Sequence, residues 1–267
     1  MATTQGRGTV LIGTFSIGEV LSRAFATLRD NPVATLGVAF LFGALPQSLS
    51  SYAIIAGGAS SGLADPLYAS LLGLVSPLIF LLCSMLVQGA LTRATVAYAS
   101  EQRASFAQSI GTGVAFILPL LGLTILMVLG LMLGFVLFVV PGVILFLMWS
   151  VAAPALVAER CGVLRAFGRS RALTKGARWK IFGLLLLVLV LVWILSAVIG
   201  AITVAGDFMG QMEAMARGTL PMSFILLSAI SNTLIIAFWG ATQASLYLSL
   251  SQWKDGPDIG ALEEMFA

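Results

Sequence analysis

The chain has 267 residues, of which 9% are charged and 59% apolar, and it contains no histidine. A soluble domain carries about 25% charged residues and about half apolar ones, and a chain of this size still exposes a large surface that would have to face water. The composition therefore predicts an all-α fold in lipid: a polytopic transmembrane helical bundle. Without imidazole there is no Ser-His-Asp or Cys-His nucleophile, no histidine-ligated zinc and no histidine general base. Cys83 lies in an apolar run and Cys161 in a basic segment, so each reads as a small packing residue rather than half of a disulfide or a metal site. No cofactor, metal or nucleic-acid partner is expected.

Residues 1–14 lack a compact apolar stretch followed by a small-residue cleavage site, and read as a retained, mobile polar tail. One membrane domain is then expected over 15–252. It opens with an interfacial amphipathic helix at 15–30, where Ser16 and Glu19 have capping-box spacing. Ile17, Leu21, Ala24 and Leu28 share one face, with Glu19, Arg23 and Thr27 on another. Glu19 and Arg23 are also spaced as an i,i+4 pair, and the Asn31-Pro32 step ends the helix.

Charge-free stretches follow at 31–64, 66–92, 104–158, 181–206 and 218–253. A span needs about 20 mostly apolar residues, so these hold six spans, two of them in the third stretch on either side of a turn at Pro141-Gly142. The spans are placed at Pro32–Ile55, Leu67–Ala97, Ile110–Val140, Val143–Ala158, Trp179–Thr203 and Pro221–Leu250. Pro154, inside the fourth, bends it there. Of the 14 Lys and Arg residues only Arg217 falls on the outer side if the amino terminus is cytoplasmic. This predicts cytoplasmic termini, including a tail at 253–267, by the positive-inside rule.

Between the fourth and fifth spans, residues 159–176 read as a basic amphipathic cytoplasmic helix. Val163, Ala166, Phe167, Ser170, Leu173 and Thr174 share one arc, while Arg165, Arg169, Arg171 and Lys175 occupy the other. Glu159 near its start and Lys175 in its last turn suit the macrodipole, Gly176 is a C-terminal stop, and Arg178, Trp179 and Lys180 have interfacial-anchor chemistry. The bland reading of these cations is topology plus anionic headgroups, at about 1 kcal/mol per cation. The sharper reading is a docking surface for a specific lipid or a cytoplasmic partner. Ser105–Ile110, before the third span, is a shortened version of the same device. Spans 1, 3 and 5 are thus each preceded by an amphipathic element, which suggests three copies of helix–span–span. Val20-Leu21-Ser22-Arg23-Ala24-Phe25 beside Val163-Leu164-Arg165-Ala166-Phe167 is the sequence echo of that repeat.

No ionisable residue lies deep in a span, which disfavours carriers driven by buried carboxylates. Uncharged polar residues do align. Ser228, Asn232, Trp239 and Gln243 share an arc of the last span, and Ser84, Gln88, Thr92 and Thr95 cluster on the second. Ser84, Gln88, Asn232 and Gln243 are candidates to line a polar cavity; the alternative is glue between helices, at about 0.6 kcal/mol per hydrogen bond. Gly130 and Gly134 form a GxxxG suited to close helix approach.

The run from Pro141-Gly142 through Trp149, Pro154 and Glu159 resembles the central motif of the bacterial glycerophosphoryl diester phosphodiesterase membrane-domain family. It continues through Ala166, Arg169, Ser170, Leu173, Thr174, Gly176 and Trp179. The segment Tyr247 to Gly256 is similar to the family's usual ending, with Ser251 where an Arg is common. The resemblance implies a six-span module of the bacterial inner membrane. In some relatives it is fused to a catalytic (β/α)₈ barrel of about 250 residues, for which this chain has neither the length nor the histidines. The expectation is a non-enzymatic, lipid-contacting or membrane-accessory module, with a homo-oligomer or a cytoplasmic partner as further associations. The alternative is a transporter or channel subunit working with a cytoplasmic partner.

Overall fold

The computed structural model describes residues 16–51, 66–99, 105–217 and 222–256; the expected tail at 1–14 and most of that at 253–267 lie outside them. Among the described residues there are ten helices and no strand. They are α1 (Ile17–Asp30), α2 (Pro32–Ser51), α3 (Pro66–Ala99), α4 (Phe106–Ala115), α5 (Ile117–Leu137), α6 (Val139–Trp149), α7 (Ala152–Glu159), α8 (Val163–Thr174), α9 (Arg178–Ala216) and α10 (Met222–Asp255). Six segments are long and apolar enough to cross a membrane: α2, Gly73–Ala99 of α3, α5, α6 with α7 as one bent span, Arg178–Ile202 of α9, and Phe224–Asp255 of α10. The protein is an all-helical multi-pass bundle. Its apolar side chains are exposed most continuously on α5 and α9, as suits contact with acyl chains.

Three helix breaks differ from the sequence expectation, and prolines explain all of them. The third span starts at Ile117 rather than Ile110, because Phe116 leaves the helical region at φ −100°, ψ 4°. The turn before the fourth span is at Phe138 (φ −168°, ψ 157°) rather than at Pro141-Gly142. That span then breaks at Ser150–Val151 instead of bending at Pro154. Pro119, Pro141 and Pro154 are each the third residue of a helix. A first-turn N–H has no intrahelical acceptor, so a proline there forfeits nothing, whereas mid-helix it would lose a bond and clash with the preceding turn. Gly142 serves packing: a Cβ there would lie 2.5 Å from the Phe135 ring. Pro46 is accommodated differently, by a wide π turn at Ala39–Ala44 just before it.

The helices form three successive units of short helix, first span and second span: α1-α2-α3, α4-α5-α6/α7 and α8-α9-α10. The second spans α3, α7 and α10 contact one another at the centre. Each first span packs on its own second span and on that of the preceding unit: α5 on α6 and α3, α9 on α10 and α6, and α2 on α3 and α10. The short helices follow the same rule, α4 lying on α3, α8 on α7 and α1 on α10. The first unit thus docks against the last and the arrangement closes as a pseudo-three-fold ring. The sequence echo acquires a structural meaning here. Ala24 and Ala166 are both fully buried. Phe25 packs on Phe238 of α10 at 5.0 Å between centroids, and Phe167 on Trp149 of α6 at 4.9 Å.

This docking revises the picture of α1 as a helix resting on lipid. Val20, Ala24 and Thr27 are fully buried against the bundle, so Thr27 belongs to the inner face. Its hydroxyl donates to the Arg23 carbonyl at 2.9 Å. Ser16 is the N-cap residue but makes no side-chain cap bond, and Glu19 accepts from Arg23 at 3.0 Å instead of closing a capping box. Arg23 also donates to Gln252 of α10. Gly130 and Gly134 both face α6, where a Cβ would come within 2.5 Å of Trp149 and 2.8 Å of Leu145 respectively.

Candidate functional site

The most heavily bonded region lies where α7 ends and α8 returns alongside it. The break at Ser150–Val151 takes Ala152 out of helical register with Met148. The Met148 carbonyl accepts instead from Ser170 Oγ at 2.8 Å, while Thr174 Oγ1, 3.4 Å from the same oxygen, donates to the Ser170 carbonyl of its own helix at 2.9 Å. The Ser170 hydroxyl thus satisfies a backbone acceptor that would cost about 1–3 kcal/mol if buried unpaired. Ala166, Ser170, Leu173 and Thr174 form the buried face, with Val163 and Phe167 at its margin, which is the arc expected from the sequence. Gly176 then turns the chain into α9 at φ +89°, a conformation that other residues rarely adopt.

On the outer side of α8 the cations divide into two sets. Arg169 does not belong to the exposed face. Its Nε donates to Glu159 Oε1 at 2.6 Å, and both terminal nitrogens engage the Asp255 carboxylate. Tyr247 Oη donates to the same Glu159 oxygen at 2.9 Å. One guanidinium thereby ties α8 to the ends of α7 and α10. The bond to Asp255, followed by that to Glu159, pushes the Arg169 pKa further up, so the guanidinium stays charged. Glu159 is the last residue of α7, not an opening-turn acid of the basic helix, and α8 starts only at Val163. Nearby, burial first and the Glu159 charge second push the Cys161 thiol up.

Arg165, Arg171 and Lys175 form the second set. All three are exposed, and none has an acidic partner among the described residues. Lys180 is also exposed, while Arg178 is half-buried. Two large apolar side chains stand beside them, Leu164 at 78% and Trp179 at 86% exposure. Cations next to projecting Leu and Trp are the side-chain chemistry of a headgroup boundary, with apolar bodies in the acyl region and charges among phosphates.

A second candidate lies deeper, between α2, α3, α5, α7 and α10. It is a cavity of about 420 Å³ lined by residues from five of the six spans. Among the described residues its lining contains no charged side chain. The polar groups are Ser84, Gln88, Thr124 and Gln243, among apolar residues such as Met85, Leu120 and Trp239. Gln88 Nε2 donates to Gln243 Oε1 at 2.9 Å, a bond between the second spans of the first and third units. The cavity and glue readings therefore coincide in this pair. Ser84 lines the space while donating to the Leu81 carbonyl of its own helix at 2.7 Å. Asn232 does not belong to the lining, lying two helical turns before Trp239, towards the amino end of α10. Thr92 and Thr95 are fully buried and bond back to their own helix.

No family model matches the chain, and no curated protein or solved structure does so either. Among the residues that carry the family resemblance, Pro141 and Gly142 stand in the first turn of α6 against α5, Trp149 and Pro154 flank the α6–α7 break, Ala166, Ser170, Leu173 and Thr174 dock α8 beside that break, and Gly176 and Trp179 lie at the start of α9. Sequence reasoning missed Asp255 and Tyr247 as partners of the basic helix, although both fall in the tail segment noted for its similarity. It also missed Thr124, Gly43 and Ala153 in the cavity wall. The available signal was the prolines, because Gly43 lies in the π turn before Pro46 and Ala153 just before Pro154. Among the described residues no three Cys, Asp or Glu side chains gather as metal ligands would.

Proposed function

We propose that the protein is a non-enzymatic membrane module that engages anionic lipid headgroups through the exposed side of α8 and the start of α9. The observation that carries this reading is the division of the cations. Glu159 and Asp255 are both engaged by Arg169, which leaves Arg165, Arg171 and Lys175 without an acidic partner among the described residues, on a helix held firmly by its opposite face. A rigid cationic surface flanked by Leu164 and Trp179 suits phosphate groups at a bilayer boundary. The resemblance to the glycerophosphoryl diester phosphodiesterase membrane-domain family, residence in a bacterial inner membrane and cytoplasmic termini belong to the same proposal. So does the absence of catalytic activity.

The test is native mass spectrometry of the purified chain released from nanodiscs of mixed phosphatidylglycerol and phosphatidylcholine. The expected result is preferential retention of the anionic lipid. The combined variant Arg165→Gln, Arg171→Gln and Lys175→Gln loses roughly 3 kcal/mol of that preference at low salt, at about 1 kcal/mol per cation. Equal retention of the two lipids by the unaltered protein would overturn the reading. The intramembrane cavity favours a second reading, a transporter or channel subunit, whose test is solute uptake by proteoliposomes containing the chain and its co-purifying partners.

A further inference from the structure

The cavity between α2, α3, α5, α7 and α10 carries an inference that does not depend on the basic surface. Three independent features converge on it. First, its walls include both irregular stretches of backbone in the spans: Gly43 lies in the π turn of α2, and Ala153 lies just after the break between α6 and α7. Within a membrane, backbone departs from the regular helix where it is buried in protein or lines a cavity, and π turns recur at functional sites.

Second, the Gln88–Gln243 bond leaves capacity unused. It takes one N–H of Gln88 and the Gln243 carbonyl. A side-chain amide has two N–H donors and one carbonyl acceptor, so the Gln243 amide nitrogen and the Gln88 carbonyl have no partner among the described residues. Third, the described lining carries no charge, and Phe80, one of its residues, lies in the apolar span Gly73–Ala99 and is 45% exposed. The cavity wall therefore meets the hydrocarbon medium of the span itself. Its volume of about 420 Å³ is in the range of small-ligand sites, about 300–1,000 Å³.

We infer that this cavity binds the acyl chain of a membrane lipid, with its carbonyl end at the Gln88–Gln243 pair. The apolar walls accept the hydrocarbon, and the ester or carboxyl oxygen meets the free amide donors of the pair. A charged solute would enter a lining with nothing to compensate it, which is costly at this depth. The surrounding bilayer supplies an uncharged chain at high concentration directly beside Phe80.

The inference is tested with a lipid carrying a photoactivatable diazirine within the chain, presented to the full protein in nanodiscs. One arm uses a zwitterionic phosphatidylcholine and the other the free fatty acid, so the source of the chain is distinguished. The expected result from at least one arm is labelling of α3 around Ser84–Gln88 and of α10 around Ile235–Gln243. Ala153→Phe fills the space and should remove that labelling while leaving labelling of the lipid-facing part of α9 intact. Thr124→Phe does the same from α5 and substitutes if the first variant does not fold. Labelling confined to α5 and α9 in both arms, or unchanged labelling of α3 and α10 in a folded, filled variant, would overturn the inference. Neither arm carries a net anionic phospholipid, so this outcome is separable from that of the headgroup experiment.

Discussion

The short helices α4 and α8 do the same topological task by different means. Each lies on the second span of the preceding unit, yet α4 is held sterically and α8 by polar bonds. Gly113 of α4 meets Gly89 of α3 backbone to backbone: a Cβ on Gly113 would lie 2.5 Å from the Leu86 carbonyl oxygen, and one on Gly89 2.9 Å from the Gly113 Cα. Helix α8 instead commits the Ser170 hydroxyl to Met148 and the Arg169 guanidinium to Glu159 and Asp255. Close backbone approach in apolar surroundings responds little to salt or pH. A polar dock at the edge of the bundle is hydrated, screened and open to chemical adjustment. The basic surface is therefore mounted on the more adjustable of the two contacts.

The contrast can be broken most severely at Gly113. Gly113→Leu has no room for its side chain and should cost about 3 kcal/mol, at the upper end of overpacking. The expected sign is loss of monodisperse protein, or a large drop in melting temperature in detergent, equally at low and high salt. Arg169→Gln should cost less, about 1–2 kcal/mol for charge-assisted bonds that remain partly solvated. Its characteristic sign is faster tryptic cleavage within α8, at Arg165, Arg171 and Lys175. High salt applied to the unaltered protein should reproduce part of this effect and leave α4 untouched. If Arg169→Gln and Gly113→Leu responded identically to salt, the two docks would not differ in kind.

The smallest expected effect concerns Cys161. Its thiol is pushed up, by burial first and by Glu159 second, so at neutral pH less of it is thiolate than in a free cysteine. Maleimide labelling should be slow and should accelerate as pH rises towards the raised pKa. Glu159→Gln removes the negative neighbour, lowers the thiol pKa and should speed labelling a few-fold at fixed pH. A slower reaction in that variant would show that Glu159 does not govern the thiol.

Much of this fold was legible because hydrocarbon imposes a simple rule: charge cannot stay inside. The charge-free stretches 31–64, 66–92, 104–158, 181–206 and 218–253 mark the spans without any knowledge of packing. The arc of Ala166, Ser170, Leu173 and Thr174 was equally readable, since helical spacing alone puts those residues together. What resisted was anything depending on a distant partner. Periodicity puts Arg169 beside Arg165 on a cationic face, but its carboxylate at Asp255 is 86 residues away and comes near only through the packing of α10. The same is true of Gln88 and Gln243, whose arcs were visible separately while their meeting was not. Asn232 shares an arc with Gln243 and still misses the cavity, because an arc fixes direction around a helix but not depth along it. The helix breaks were more accessible: treating Pro119, Pro141 and Pro154 as first-turn residues would have located all three.

Closure of the ring also carries a consequence for biogenesis. Helix α1 belongs to the first unit, yet its seat is on α10, the sixth of the described spans. Synthesis runs from the amino end, so α1, with its Val20 and Ala24, must wait for its main seat until α10 has been made. Docking of α1 is thus tied to the synthesis of α10, and a product cut short before α10 is marked by an undocked α1.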